Sequence, residues 1–203
     1  MTEPHKFALL GCGKIAHKHG EIISNNLPGA KLVSVCDLDK KKSSELSKKY
    51  QLDSYEDMEL MVTKTNPDTI VVLTPSGVHA KNVLDLCKLG VNIIVEKPLA
   101  LKLKDAKKIK ELCTINNIHL SVVKQNRYNK PIMLLKRYIE AGNLGKLFLG
   151  SIRVRWSRPQ SYYDTAEWRG TWKYDGGVIT NQASHHIDMI QWLMGDVESV
   201  FAK

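Results

Sequence analysis

Short apolar runs alternate with longer amphipathic segments through the first 125 residues of the chain. Each run is too short for a helix and is typical of a strand that is buried on both faces of a parallel sheet. These runs lie at residues 7–10, 32–35, 69–73, 92–95 and 119–123. A shorter strand is predicted near Ser54 and Tyr55.

The segments between the runs have the residue spacing and the end signals of helices. Helices are predicted at residues 18–26, 40–50, 58–61, 79–89 and 104–116. Gly90 is a natural end for the fourth of them, because glycine readily adopts the left-handed backbone conformation that closes a helix. This regular alternation predicts an α/β domain over residues 1–125, built on a doubly wound parallel sheet.

The pattern changes after residue 125. Pro131 opens a predicted helix that runs to residue 141, and another helix is predicted at residues 181–194. Residues 146–156 alternate apolar and charged side chains, which predicts an antiparallel strand with one exposed face, and a further strand is predicted at residues 197–202. We therefore predict that residues 126–203 form an α+β domain with an open, mainly antiparallel sheet.

Two strands rarely form a stable sheet by themselves. The predicted inner face of residues 146–156 carries Leu147, Leu149, Ile152 and Val154, which would lack part of their apolar cover. We therefore expect this domain to be incomplete, with roughly 100 further residues of a longer protein adding strands to its sheet.

The first apolar run leads directly into a Gly-x-Gly-x-x-Ala pattern. Gly11 permits a tight turn, Gly13 lets the backbone approach a phosphate, and Ala16 lets the next helix pack against the strand. The backbone amides of Lys14 and Ile15, at the start of that helix, would face the phosphate charge. The pattern predicts a dinucleotide-binding Rossmann domain.

Asp37 follows the second predicted strand, about 20 residues after the glycines, as in dinucleotide-binding domains. Its carboxylate would accept hydrogen bonds from the adenosine ribose and repel a 2′-phosphate, which favours NAD over NADP. Lys40, Lys41 and Lys42 would soften that preference. The alternative is that Asp37 only caps the next helix.

The amino-acid composition adds little to the prediction of an NAD-binding domain. The formal net charge of +9 suits an acidic ligand, and no motif indicates nucleic-acid binding. The four cysteines lack the spacing of a metal site, and we expect reduced thiols in a cytoplasmic protein. Neither a signal peptide nor a membrane-spanning apolar segment is evident.

Two polar motifs follow predicted strands, where ligands bind in open α/β sheets. The first is Thr74-Pro75-Ser76-Gly77-Val78-His79, for which a proline turn with Ser76 as helix cap is a sufficient structural explanation. The second is Glu96-Lys97-Pro98. Lys97 could stabilise the oxyanion that develops when an alcohol is oxidised, or it could be an ordinary surface lysine.

A third polar motif lies on the predicted helix at residues 181–194. Asn181, His185 and Asp188 would share one helical face, on which His185 could act as a general base. A metal site that includes His186 is disfavoured, because adjacent helical residues point about 100° apart. The remaining alternative is a structural polar face.

Taken together, these motifs resemble the Gfo/Idh/MocA family of nicotinamide-dependent sugar dehydrogenases. The resemblance implies that Lys97 and His185 are catalytic and that Asn181, where the family usually has aspartate, orients a sugar hydroxyl. It also implies a homo-dimer or homo-tetramer formed through the C-terminal sheet. The cofactor-binding residues that we predict are Gly11, Gly13, Lys14, Ile15, Asp37, Thr74, Pro75, Ser76, His79, Glu96, Lys97, Gln125, Asn126, Trp168 and Arg169.

A narrower resemblance runs through residues 124–131, 156–163, 168–172 and 181–186, and it is to bacterial UDP-N-acetylglucosaminuronate 3-dehydrogenases of lipopolysaccharide synthesis. It implies an acidic nucleotide sugar as substrate, for which an arginine-rich rim is suited. Arg158 and Tyr162 would bind it together with Lys97, Asn181 and His185. The alternatives are a dehydrogenase of a free polyol or hexose, and a non-catalytic NAD-binding regulator.

Overall fold

A computed structural model describes residues 3–203 of the chain. It divides into two compact units, of which the first ends at Val123 and the second comprises Lys124–Lys203.

The first unit contains six strands in a single parallel sheet. The strands are β1 (His5–Leu10), β2 (Ala30–Cys36), β3 (Asp53–Tyr55), β4 (Thr69–Val72), β5 (Asn92–Val95) and β6 (Leu120–Val122). Their order across the sheet is β3-β2-β1-β4-β5-β6. This is the order of a dinucleotide-binding Rossmann fold, and it confirms the predicted doubly wound sheet.

Five α-helices connect the strands of the first unit. They are α1 (Lys14–Glu21), α2 (Lys40–Tyr50), α3 (Met58–Thr65), α4 (Ser76–Cys87) and α5 (Leu103–Ile115). A π-helical turn, Ile22–Asn26, continues α1. The predicted helices therefore form, with ends that differ by a few residues.

Both faces of the sheet are buried, which explains why the strand sequences are mostly apolar. Along β1, Ala8 and Leu10 pack into one core cluster and Leu9 into the other. Along β4, Ile70 and Val71 divide between the two clusters in the same way. Successive side chains of a strand point to opposite faces, so a strand covered on both sides is apolar at most positions.

The four cysteines are buried thiols of this first unit. Burial raises the pKa of Cys12 and of Cys36 to about 12. The sulfur atoms of Cys87 and Cys113 lie 3.6 Å apart and are not bonded as a disulfide. These cysteines fill core positions as small apolar residues.

The regular secondary structure of the second unit is helical over the residues that the structure describes, and irregular segments separate its helices. It contains a 3₁₀ turn at Gln125–Tyr128, followed by α6 (Lys130–Glu140) and the short α7 (Gln160–Tyr163). A π-helical segment, Ile179–Ala183, then leads into α8 (Ser184–Met194).

The predicted strands at residues 146–156 and 197–202 are wrong for this structure, since neither segment forms a strand. A strand is defined by hydrogen bonds to a neighbouring strand, and alternation of side chains cannot supply that neighbour. Several apolar side chains of these segments are exposed, including Phe148 at 91% and Leu149 at 82%. The predicted open antiparallel sheet is therefore not formed by the described residues.

Candidate functional site

The candidate site begins at the carboxyl edge of the parallel sheet. Strands β1, β4 and β5 are direct neighbours, so the loops that follow them lie side by side. These loops carry the Gly-x-Gly turn, the Thr74-Pro75 turn and the Glu96-Lys97-Pro98 segment. The sheet thus brings together three motifs that are far apart in the sequence.

The Gly-x-Gly turn has the shape of a phosphate cradle. Gly11 has a φ angle of +98°, and a Cβ atom there would lie 2.7 Å from the carbonyl carbon of Leu73. A Cβ on Gly13, in contrast, would meet no atom within 4 Å. Helix α1 starts at Lys14 without a side-chain cap, so its first turn offers backbone amides to this open space. This arrangement fits a dinucleotide pyrophosphate.

The Asp37 carboxylate is hydrogen-bonded to the same turn. One carboxylate oxygen accepts a hydrogen bond from the backbone amide of Cys12 at 2.7 Å, and the other accepts one from the amide of Asp39 at 2.8 Å. The cap of α2 is Asp39, whose side chain accepts from the amides of Lys41 and Lys42. The alternative that Asp37 merely caps this helix is therefore wrong.

We predict that Asp37→Ala weakens NAD binding roughly 10-fold, because a charge-assisted hydrogen bond to the ribose and the support of the Gly-x-Gly turn are both lost. Removal of the negative charge should also reduce the preference for NAD over NADP. Fluorescence titration with both reduced cofactors measures the two effects. Asp39→Ala, which removes the adjacent helix cap, is the control, and tighter binding of NADP than of NAD by the unmodified protein would contradict the assignment.

His79 links two of the loops. Its ring is 1% exposed, with Nδ1 at 2.7 Å from the Pro98 carbonyl oxygen and Nε2 at 2.6 Å from the Thr74 carbonyl oxygen. Burial lowers the pKa of His79, and this outweighs the opposing effect of the two carbonyl oxygens and of Glu96. The residue thus holds the backbone beside Lys97 against the Thr74 turn.

The Thr74 turn differs in one detail from the predicted alternative of a proline turn in which Ser76 caps the next helix. Ser76 is the first residue of α4 rather than its cap, because Pro75 occupies the capping position and no side chain caps this helix. Thr74 instead donates its hydroxyl hydrogen to the side-chain oxygen of Asn82 at 2.8 Å.

Glu96 has a partner that the sequence did not indicate. Its carboxylate lies 3.0 Å from Nε2 of His19, on α1. Burial raises the pKa of Glu96, but the hydrogen bond and charge of His19, with the amide and charge of Lys97, outweigh that effect and leave the pKa below its usual value. Glu96 is thus an ionised side chain that also accepts from the backbone amide of Lys97, at 3.2 Å.

The second unit contains an arginine–aromatic cluster built on Tyr162. The guanidinium groups of Arg158 and Arg169 lie 4.9 Å and 4.5 Å from the Tyr162 ring centre. Arg158 also stacks on Trp156, and Arg169 stacks on Trp168. The Tyr162 hydroxyl oxygen accepts from Arg169 at 2.6 Å, which fixes the guanidinium in place. Sequence reasoning selected these arginines, and the structure gathers them around one ring.

Beside this cluster lies a cleft with a volume of about 430 Å³. Arg169, Asp175 and Asn181 line it, and the last two are almost fully buried. Asn181 lies in the π-helical segment and donates its side-chain amide to the carboxylate of Asp175. Asp175 is a site residue that sequence reasoning missed, although the adjacent Gly176-Gly177 turn marked its position.

Asp188 forms ion pairs that are separate from the contact between Asn181 and Asp175. Its carboxylate accepts two hydrogen bonds from Arg127, at 2.8 Å and 2.7 Å, and lies 3.4 Å from the Lys124 ammonium. Two members of the predicted polar face, Asn181 and Asp188, therefore have separate partners. The π-helical turn before Ser184 contributes, because its wider turn shifts the helical phase.

The Arg127–Asp188 pair fastens the 3₁₀ turn to α8. That turn also carries Gln125 and Asn126, two of the predicted cofactor-binding residues. Burial raises the pKa of Asp188, but the hydrogen bonds and charges of Arg127 and Lys124 prevail and lower it below its usual 3.8.

We predict that Asp188→Asn lowers the free energy of unfolding of the second unit by about 2 kcal/mol near neutral pH. Since the pKa is lowered on folding, the carboxylate stabilises the fold above pH 3.8 and loses that effect as the pH falls through the folded-state pKa. The stabilities of the variant and the unmodified protein should therefore converge only as the pH falls below the folded-state pKa of Asp188, which lies under 3.8.

All four tryptophans lie in the second unit, so urea unfolding followed by their fluorescence measures this difference. The control is Glu140→Gln, which removes an exposed partner of Lys136 and should change the stability by less than about 0.5 kcal/mol. Equal effects of the two variants would contradict a special role for the partly buried Arg127–Asp188 pair.

His186, the second of the two adjacent histidines of α8, contacts an aromatic ring. The ring of His186 packs edge-on against Trp156, with the ring centres 5.5 Å apart.

Within residues 3–203, no group of three or more His, Cys, Asp or Glu side chains is arranged to hold a metal ion. No helix of that same range is long and apolar enough to cross a membrane.

Comparison with protein families identifies both units. Residues 5–123 match the model described as an oxidoreductase family with an NAD-binding Rossmann fold. Residues 132–203 match the model of the GFO/IDH/MocA C-terminal domain.

Curated relatives include several sugar-alcohol dehydrogenases. The chain is 26% identical over 198 residues to the NAD-dependent scyllo-inositol 2-dehydrogenase of Bacillus subtilis, covering 96% of this chain and 55% of the relative. It is 25% identical over 190 residues to the 2,7-anhydro-N-acetylneuraminate hydratase of Mediterraneibacter gnavus, covering 93% and 49%. The chain thus spans about half the length of the curated relatives that it matches.

Two solved structures have a higher sequence identity to this chain than those curated relatives have. The WlbA dehydrogenase of Chromobacterium violaceum, in complex with NADH and UDP-GlcNAcA, matches with a TM-score of 0.94 and 36% identity over 98% of this chain and 58% of that chain. The WlbA dehydrogenase of Bordetella pertussis, in complex with the same two molecules, matches with a TM-score of 0.93 and 37% identity over 97% and 60%. Because the first family model alone covers more than half of the chain, this chain belongs to the Gfo/Idh/MocA family of oxidoreductases and carries its NAD-binding Rossmann domain.

Proposed function

We propose that the protein oxidises the 3-hydroxyl of a UDP-N-acetylglucosaminuronate-type nucleotide sugar to the 3-keto sugar, with NAD as oxidant. The observation that carries this proposal is the 36% identity, over nearly the whole chain, to a dehydrogenase solved with NADH and UDP-GlcNAcA. The inositol dehydrogenases are less similar, at 26% to 28% identity.

The first unit has the features needed to hold NAD. The open space at Gly13 and the uncapped start of α1 suit its pyrophosphate, and Asp37 suits the adenosine ribose. When bound, NAD accepts the hydride that leaves the alcohol carbon.

The protein's own residues would then manage the proton and the developing charge. His185 removes the proton of the sugar hydroxyl as a general base. Lys97 stabilises the oxyanion that forms on the same oxygen, from a loop whose backbone His79 and Glu96 hold in place. Asn181 orients the hydroxyl through a hydrogen bond.

The arginine–aromatic cluster supports an acidic substrate. The Arg158 and Arg169 guanidinium groups, stacked on aromatic rings, are pre-oriented cations of the kind that binds phosphate and carboxylate groups. A free polyol carries no charge for them to bind. The formal net charge of +9 acts in the same direction.

The proposal extends to the cellular role. A 3-keto nucleotide sugar of this type would serve lipopolysaccharide or O-antigen synthesis in the cytoplasm, by an enzyme that is a homo-dimer or homo-tetramer. Support for assembly comes from large exposed apolar side chains in the second unit, such as Phe148 and Phe201, each 91% exposed.

The second candidate is oxidation of a free polyol of the inositol type. It is favoured by the curated relatives, several of which are inositol dehydrogenases. It keeps the same fold, the same cofactor and the same roles for Lys97 and His185. The two candidates differ in whether the arginine–aromatic cluster has a charged group to bind.

A substrate panel tests the proposal. The protein is incubated with NAD and, in separate reactions, UDP-GlcNAcA, UDP-GlcNAc, glucose, myo-inositol and scyllo-inositol, and NADH formation is followed by absorbance. We expect turnover with UDP-GlcNAcA and a much lower rate with UDP-GlcNAc, which lacks the carboxylate. Faster turnover of an inositol would establish the second candidate, and NADH binding without oxidation of any compound would indicate a regulator.

A further inference from the structure

Asp175 is a buried carboxylate whose two oxygen atoms both accept hydrogen bonds. It is 5% exposed, and Oδ2 accepts from the backbone amide of Gly170 at 2.7 Å. Oδ1 accepts from the side-chain amide of Asn181, which is 7% exposed. Because each oxygen faces an N–H donor, the geometry is that of an ionised carboxylate.

The backbone around Asp175 keeps it in this position. Its amide donates to the carbonyl oxygen of Thr171 at 2.9 Å, and the amide of Gly176 donates to the same oxygen at 3.3 Å. Gly170 and Gly176 have φ angles of +72° and +75°, a region that favours glycine, so this turn is specified by its sequence.

An ionised carboxylate restricts how an asparagine beside it can be oriented. The side-chain amide has a donor end, Nδ2, and an acceptor end, Oδ1, whereas the carboxylate only accepts. Asn181 must therefore direct Nδ2 toward Asp175, and its Oδ1 is directed away from that carboxylate. The next residue, Gln182, donates to the Tyr162 hydroxyl oxygen at 3.1 Å, which holds the segment from another side.

We propose that Asp175 is a positioning residue that fixes Asn181 as a hydrogen-bond acceptor in the cleft, so that Oδ1 of Asn181 receives a hydroxyl hydrogen of the substrate. This inference rests on the proposed function, because it assigns a sugar alcohol to the cleft. It also explains how an amide serves at position 181, since an oriented amide oxygen presents the same acceptor that one carboxylate oxygen would.

The first test is Asp175→Asn. The new amide at position 175 accepts from Gly170 with its oxygen and therefore turns its NH₂ group toward Asn181. Asn181 must then rotate to accept, and it presents a donor to the cleft instead of an acceptor. We expect kcat/KM for UDP-GlcNAcA to fall roughly 10- to 100-fold, as for loss of one hydrogen bond to a reacting group, with NADH affinity unchanged.

The second test exchanges the two residues. Asn181→Asp alone places two carboxylates against each other and should also lose activity. The double variant Asp175→Asn/Asn181→Asp restores one donor between the two side chains and an acceptor oxygen toward the cleft. We expect it to recover kcat/KM to within about fivefold of the unmodified protein, although each single change is damaging.

Asp164→Asn is the matched control, because Asp164 is an exposed aspartate of the same unit that bonds only the neighbouring Gln160 in the contacts described. It should leave kcat/KM unchanged. The inference is overturned if Asp175→Asn retains full activity, or if the double variant is no more active than the single variants while melting at the same temperature as the unmodified protein.

A spectroscopic measurement separates this inference from the proposed function. In ¹⁵N-labelled protein, the Asn181 side-chain NH₂ protons should resonate downfield because they face a carboxylate, and Asp175→Asn should remove that shift. If the substrate panel instead identifies a polyol, the four variants are assayed with that alcohol, so the inference is tested while the nucleotide-sugar proposal fails. A normal Asn181 NH₂ signal in the unmodified protein would overturn the orientation itself.

Discussion

Lys97→Ala is expected to lower kcat about 10³-fold or more, the largest effect of any single change that we predict. The alanine removes the cation that stabilises the developing alkoxide, and an oxyanion left without its charged donor raises the barrier of the hydride-transfer step. NADH affinity should change little, because the Gly-x-Gly turn and Asp37 are intact. Steady-state kinetics with UDP-GlcNAcA and a fluorescence titration with NADH measure the two quantities.

The matched control for Lys97 is Lys110→Ala, on the exposed face of α5. It removes the same charge from the same unit and should leave both kcat and NADH affinity unchanged. Lys97→Arg adds a second comparison, since it keeps the charge but replaces a compact ammonium with a planar group. Near-normal turnover by Lys97→Ala would refute the assignment of Lys97 as the oxyanion-stabilising residue.

His185→Ala should lower kcat by roughly 10²- to 10⁴-fold, which is the usual contribution of a general base. The loss arises because no side chain then takes the hydroxyl proton as the hydride leaves. Added imidazole should restore part of the activity if the missing function is proton transfer. Rates measured with and without imidazole therefore distinguish loss of the base from damage to the helix.

The adjacent histidine is the control for this prediction. His186→Asn changes a side chain that packs on Trp156 and points about 100° away from His185 on the helix. We expect kcat to stay within about threefold of normal and imidazole to have no effect. Should the His186 variant lose as much activity as the His185 variant, with recovery by imidazole, the base would have been assigned to the wrong histidine.

Much of the first unit could be predicted because its signals are local. The segment at residues 70–73 is apolar throughout, and the structure shows why, since Ile70 and Val71 face opposite sides of a sheet that is buried on both faces. Gly11 was identified from spacing alone, and its positive φ angle and contact with the Leu73 backbone give the physical reason. A pattern that depends on backbone conformation or on alternating burial can be recognised from neighbouring residues.

The second unit was predicted less well because alternation describes only half of a strand. Residues 146–156 have a suitable pattern, yet a strand also needs a neighbouring backbone with which to form hydrogen bonds, and the described chain supplies none. Spacing was also an incomplete guide to the contacts of the helical face predicted at residues 181–188. Regular spacing assumes regular helix geometry, whereas Ile179–Ala183 is a π-helical segment in which Asn181 turns to Asp175.

The sequence by itself determined the class of the first unit, the candidate phosphate-binding turn, the candidate ribose-binding acid and the choice of Lys97, Asn181 and His185 as candidate catalytic residues. Only the tertiary structure decided which hydrogen bonds and ion pairs position the candidate residues, because these contacts join residues that are far apart in the chain. His19 and Glu96 are 77 residues apart in the chain, and Arg127 and Asp188 are 61 apart. Pairing at such separations depends on how the elements pack, which no local pattern of residues encodes.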